Sequence, residues 1–79
     1  MLNVEEAKAK VLKTYHNSEV LNTVVLPSRF IFQVNLNLPY EEAFPALLSV
    51  DKAKGTMIDI SIFDDPDSAE IARQLMRKG

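Results

Sequence analysis

Apolar and polar positions repeat along this chain with two different periods, and the change of period divides it into elements. Val4, Ala7, Val11, Leu12 and Tyr15 recur at spacings of three and four, which places them on one stripe of an α-helix. Glu5, Glu6, Lys8, Lys10 and Lys13 supply the wet side. Asn3 and Glu6 have the spacing of a capping box, in which each side chain accepts from a free backbone N–H of the other. Glutamates in the first turn and lysines later suit the helix dipole. With His16, Asn17 and Ser18 as the stop, the pattern predicts a helix over residues 4–16.

From Val20 to Leu26 the residues become β-branched and aliphatic, and Pro27-Ser28 closes the run, since proline cannot extend a sheet ladder. In RFIFQVNL, Phe30, Phe32, Val34 and Leu36 alternate with Arg29, Ile31, Gln33 and Asn35. This is the period of a strand with one buried face, and the short join makes the two strands hairpin neighbours. Pro39 and Pro45 then flank Tyr40, Glu41, Glu42 and Phe44. Pro39 fits the first position of a helical turn and Pro45 its end, so a loop with a short helical turn is expected here. Ala46 to Val50 and Thr56 to Phe63 read as two further strands, joined by Asp51-Lys52-Ala53-Lys54-Gly55. An aspartate opening the turn and a glycine closing it at positive φ fit a short hairpin loop. In FDDPDS, Asp65 is expected to cap a second helix, with Pro66 in its first position and Asp67 near its positive end. Ile71, Ala72, Leu75 and Met76 mark that helix's apolar face, and Arg73, Arg77 and Lys78 lie toward its negative end.

The resulting order, α-β-β-β-β-α, predicts an α+β fold in one domain over residues 1–79. It is an antiparallel four-stranded sheet with the N- and C-terminal helices packed on one face. Phe30, Phe32, Val34, Ile58, Ile60 and Ile62 are expected to point toward the helices. The opposite face would carry Arg29, Gln33, Asn35, Asp59 and Ser61, with Ile31, Met57 and Phe63 making it less polar than a solvated surface.

Composition narrows the function. A chain of 79 residues buries only about 60% of the surface its unfolded form exposes, so a partner subunit would help to stabilise it. The chain has no cysteine, which removes disulfides, thiolate zinc sites and thiol catalysis and suits a cytosolic protein. Nine basic and eleven acidic residues are interspersed, for a net charge of -2, whereas nucleic-acid binding needs a basic patch. No apolar run approaches the roughly 18 residues of a membrane span, and MLNVEEAKAK lacks the basic-then-apolar order of a secretory signal. The expectation is a cytoplasmic protein that binds neither nucleic acid nor membrane.

Asp59, Asp64, Asp65, Asp67 and Glu70 form the one carboxylate-rich segment. Calcium sites converge several oxygens around a glycine that permits a sharp bend, but here a proline sits inside the run and capping accounts for Asp65 and Asp67. His16 is the sole histidine, and Ser18, Ser28, Ser49, Ser61 and Ser68 lie in no nucleophile motif. The chain lacks the glycines of a phosphate loop. Glu5-Glu6 and Glu41-Glu42 are adjacent and diverge on a helix. No enzyme activity, cofactor or metal is expected.

V-D-K-A-K-G-T-M, residues 50–57, resembles the V-D-x-x-T-G-x-V hairpin of small bacterial domains, namely the PepSY domain and small immunity proteins of polymorphic toxins. Glu5, Glu6 and Ala7 match the E-E-A-like start of the helix that precedes it there. Lys54 stands where threonine is usual, and no functional residue of those families carries over. The resemblance implies a bacterial or phage-borne protein that acts by binding, as an inhibitor or immunity-type partner.

Together these readings predict a non-enzymatic protein-interaction module with an inhibitory, immunity-type or regulatory role. Its contact surface would be the open sheet face, Arg29, Ile31, Gln33, Met57, Asp59 and Phe63, with homodimer formation as one use of it. Tyr40 and Phe44, four apart, share a side of their turn, either as a lid on the core or as a further partner contact. The alternative is a metal- or small-ligand-binding domain using the acidic segment 59–70.

Overall fold

The structure, a computed structural model, describes residues 1–35 and 45–77. Its elements run α1 (Val4–Thr14), β1 (Glu19–Val25), β2 (Arg29–Asn35), β3 (Pro45–Asp51), β4 (Met57–Ile60) and α2 (Ser68–Met76). All neighbouring strands pair antiparallel in the order β1-β2-β3-β4. The α+β class and the α-β-β-β-β-α order therefore stand as the hydrophobic periods indicated. So does the capping box: the Asn3 side chain accepts from Glu6 N–H at 2.9 Å, and Glu6 Oε1 accepts from Asn3 N–H at 3.0 Å. The predicted turn around Tyr40 and Phe44 lies outside the described residues, and Pro45 is the first residue of β3.

The helices do not share a face. Ala7 and Val11 of α1 pack with Phe30, Phe32, Val34, Leu48 and Val50. Ile71 of α2 packs instead with Val24, Leu26 and Ile31, joined by Leu47, Ile60, Ile62 and Leu75. Consecutive side chains of a strand point to opposite faces, so the even residues of β2 meet α1 and its odd residues meet α2. The cause lies in β2, where Phe30, Ile31 and Phe32 are buried in succession. An apolar Ile31 between two buried phenylalanines requires a cover of its own.

Register settles β4 as well. Val50 faces Met57, Ser49 faces Ile58 and Leu47 faces Ile60, so Ile58 and Ile60 lie on the α2 side, not with the phenylalanines. Met57 joins the α1 cluster. A one-residue change in pairing flips every side chain of a strand, and here the turn length fixes that parity. Asp51 N–H donates to Thr56 O at 2.9 Å and Gly55 N–H donates to Asp51 O at 2.8 Å, while the Asp51 carboxylate accepts from Lys54 N–H at 2.7 Å.

Gly55 closes this turn at φ 72°, in the left-handed region that costs a residue with a Cβ about 1–2 kcal/mol. A Cβ there would also lie 3.0 Å from Lys10 Nζ and 3.2 Å from Leu2 Cδ1. Leu2 is held in place because its N–H donates to Lys52 O at 2.8 Å. Gly55→Ala is therefore expected to lower stability by about 1–2 kcal/mol, read as a lower urea midpoint with an unchanged slope.

Boundaries differ from the sequence pattern most at β4 and α2, while α1 ends at Thr14 instead of continuing to residue 16. β4 ends at Ile60 rather than running to Phe63, and Ser61–Asp67 turns the chain toward α2. The α2 N-cap is Asp67, whose side chain makes no capping bond. Asp65 does not cap the helix: its Oδ1 accepts from Asp67 N–H at 2.8 Å, and both of its oxygens face Arg29.

Candidate interaction surface

The residues expected to form one contact face do not lie together. Ile31 is fully buried beneath Ile71 and is unavailable to a partner. Gln33 Oε1 accepts from Asn22 Nδ2 at 2.5 Å, which joins β1 to β2 side by side. Met57 is half-buried against α1 on the other side of the sheet. Only Asp59 and Phe63 are exposed. Tyr40 and Phe44 lie outside the described residues.

Arg29 belongs to a brace. Its Nη1 donates to Asp65 Oδ2 at 3.0 Å and to Ser49 Oγ at 3.3 Å. Its Nη2 donates to Asp65 Oδ1 and, at 2.7 Å, to Asp67 Oδ2. The Arg29 side chain is 16% exposed and that of Asp65 only 6%, so this fork-to-fork contact is shielded from water, where charge-assisted hydrogen bonds are strongest. The donated bonds from Arg29 hold the Asp65 carboxyl below its ordinary range, against the opposing effect of burial. The same bonds raise the already high value of Arg29. Arg29 thus fixes the approach to α2 onto the sheet.

The other end of α2 is tied to the border strand β1. Gln74 Oε1 accepts from Val25 N–H at 3.2 Å, and Gln74 Nε2 donates to Val25 O at 3.1 Å. Gln74 Nε2 also reaches Glu70 Oε2 at 2.8 Å. Glu70 in turn accepts from Arg73 Nε at 3.0 Å and from its Nη2 at 2.5 Å. The Arg73 bonds, followed by that from Gln74, push the Glu70 carboxyl down to about 2.

The acidic segment is thereby largely committed to the fold: Asp65 and Asp67 to Arg29, and Glu70 to Arg73 and Gln74. Among the described residues, no group of three or more His, Asp or Glu side chains is placed to hold a metal ion. Also among the described residues, no helix is long and apolar enough to cross a membrane.

Exposed apolar side chains occur on several elements, Leu21 and Val25 of β1 and Met76 of α2 among them, and the border strand β4 with the turn after it combines two of them with exposed acids. Ile58 is 54% exposed and Phe63 92% exposed, and Asp59 and Asp64 are exposed beside them. Ile58 shares a depression of about 370 Å³ with Arg29, Ser49, Asp51, Lys54 and Thr56. Asp59 and Asp64 line a second, of about 240 Å³, with Ile60, Ser61, Asp65 and Pro66. The sequence pattern missed Ile58 as a surface residue, because it falls in step with Ile60 and Ile62 and reads as core. No protein-family model, curated protein or solved structure matches the chain.

Proposed function

We propose that this chain is a non-enzymatic protein-interaction module whose contact surface is the β4 border and the turn that follows it. The observation that carries this role is the exposure of Phe63 and Ile58 beside a strand that has a neighbour on one side only among the described residues. Large apolar side chains at an unpaired border are an aggregation hazard unless something covers them, and aromatic side chains are favoured anchors of binding surfaces. Of the acidic segment, Asp65 and Asp67 are engaged by Arg29, and Glu70 by Arg73 and Gln74, which favours contact over metal binding. An inhibitory or immunity-type role, as implied by the likeness of residues 50–57 to such domains, fits a small domain that acts by contact alone.

The test compares the wild-type chain with Ile58→Ser/Phe63→Ser, both immobilised in extract of the native host. Both sites are exposed, so the double variant is expected to melt close to the wild type, within about 1 kcal/mol. Wild type should retain a protein that the variant releases. Equal retention by both chains refutes a contact at this border.

A further inference from the structure

Deepening that proposed role, we infer that the partner is an extended basic segment that adds to β4 as a fifth strand, with apolar and cationic residues in alternation. The backbone of β4 is already set for it. The Asp51–Thr56 hydrogen bond fixes the alternation in this antiparallel pair, so Ser49–Ile58 and Leu47–Ile60 are the bonded pairs. The backbone N–H and C=O groups of Met57 and Asp59 therefore turn away from β3, toward the border.

The side chains specify what would lie alongside. Met57 and Asp59 project to the α1 side of the sheet, and Ile58 and Ile60 to the α2 side. A neighbouring strand continues the same two faces. Its residues beside Ile58 and Ile60 would meet apolar surface, and those beside Asp59 would meet a carboxylate. Asp59 and Asp64 form no ion pair with the described basic residues, and both border the same depression. A cation there would find acceptors that the described residues leave unused, and the exposed ring of Phe63 lies just past the strand end. A second copy of this chain is a poorer match. Antiparallel pairing of two β4 strands would bring two Asp59–Asp64 groups together, and like charges across a strand pair are destabilising.

At the opposite border the Gln74 side chain already occupies both backbone groups of Val25, which obstructs strand addition at that end of β1 and favours β4. Backbone pairing supplies affinity in this mode and alternate side chains supply selectivity.

The experiment uses the full chain, isotope-labelled, with a blocked peptide of alternating lysine and valine, read by amide hydrogen exchange and NMR shifts. In the free protein the amides of Met57 and Asp59 should exchange faster than those of Ile58 and Ile60. The peptide should protect Met57 and Asp59 and shift β4 and Phe63, while leaving β1 unchanged. A glutamate–valine peptide should bind at least about tenfold more weakly, and added salt should narrow that gap by screening. N-methylation of the lysine–valine peptide on its bonding edge should abolish the protection.

Equal binding of the acidic peptide overturns the charge assignment. Protection of Met57 and Asp59 that rises with protein concentration and needs no peptide overturns it in favour of self-pairing. If no peptide protects β4 while Ile58→Ser/Phe63→Ser still loses its retained protein, strand addition is refuted and the contact role survives. If retention is also indifferent to those substitutions, both fall.

Discussion

Phe32→Ala is expected to lower the free energy of unfolding by about 3–5 kcal/mol, the usual cost of removing a fully buried ring. Phe32 is completely buried, with Thr23 and Leu48 as its strand neighbours and Ala7 and Val11 of α1 in the same cluster. Its ring centroid lies 6.3 Å from that of Phe30 at an interplanar angle of 40°, so the substitution also removes an aromatic pair. Native domains are stable by roughly 0.05–0.15 kcal/mol per residue, or about 4–12 kcal/mol for a chain of this length. The variant should therefore be partly or wholly unfolded at 37 °C, as circular dichroism and a urea midpoint would show. Phe32→Leu, which keeps most of the volume, should remain folded. A Phe32→Ala protein that melts like the wild type would mean that α1 does not rest on β2.

The second large effect is electrostatic. Arg29→Ala leaves Asp65 shielded from water without its cation. An exposed ion pair contributes about 1 kcal/mol or less, and breaking a buried one costs about 3–5 kcal/mol. The Arg29–Asp65 pair is partly buried, so a loss of about 2–3 kcal/mol at neutral pH is expected, between those limits.

Acidity separates this loss from a packing defect. Asp65 titrates in the folded chain below its ordinary 3.8, so below that value the unfolded chain takes up a proton more readily than the folded one. The stabilisation from the brace is fully present above about pH 4 and disappears as pH falls through the folded value. Urea denaturation at successive pH values should show wild type losing stability through this window more steeply than Arg29→Ala, with the two curves converging at the acid end. Parallel curves would show that Asp65 gains nothing from Arg29. Arg29→Lys should recover only part of the difference, because an ammonium cannot present a planar fork to Asp65 while also reaching Asp67.

These two residues show which parts of the molecule can be read from the chain. Phe32 stands in a period-two run and its burial follows from local pattern. The same is true of α1, whose stripe and capping box are complete within a few residues. The position of α2 is not local in this sense. Ile31 interrupts the polar side of β2, and that interruption is the signal of a second cover; taken as an exposed contact, it leaves both helices on one face. The parity of β4 depends on how the turn from Asp51 to Thr56 closes, and alternation alone leaves two answers. Hydrogen bonding at that turn selects the one that turns Ile58 and Ile60 away from the phenylalanines. Arg29 and Asp65 are 36 residues apart, so nothing in either neighbourhood announces the other. The acids of FDDPDS read as helix-start chemistry, and their chief partner is a cation from another strand.

The carboxamide of Gln74 on Val25 has a consequence for how far copies of this sheet could extend. Endless stacking requires two receptive margins per molecule, one to give and one to take. At Val25 the chain's own helix already takes the place of such a neighbour, so stacking on β1 would first have to displace Gln74 at that end of the strand.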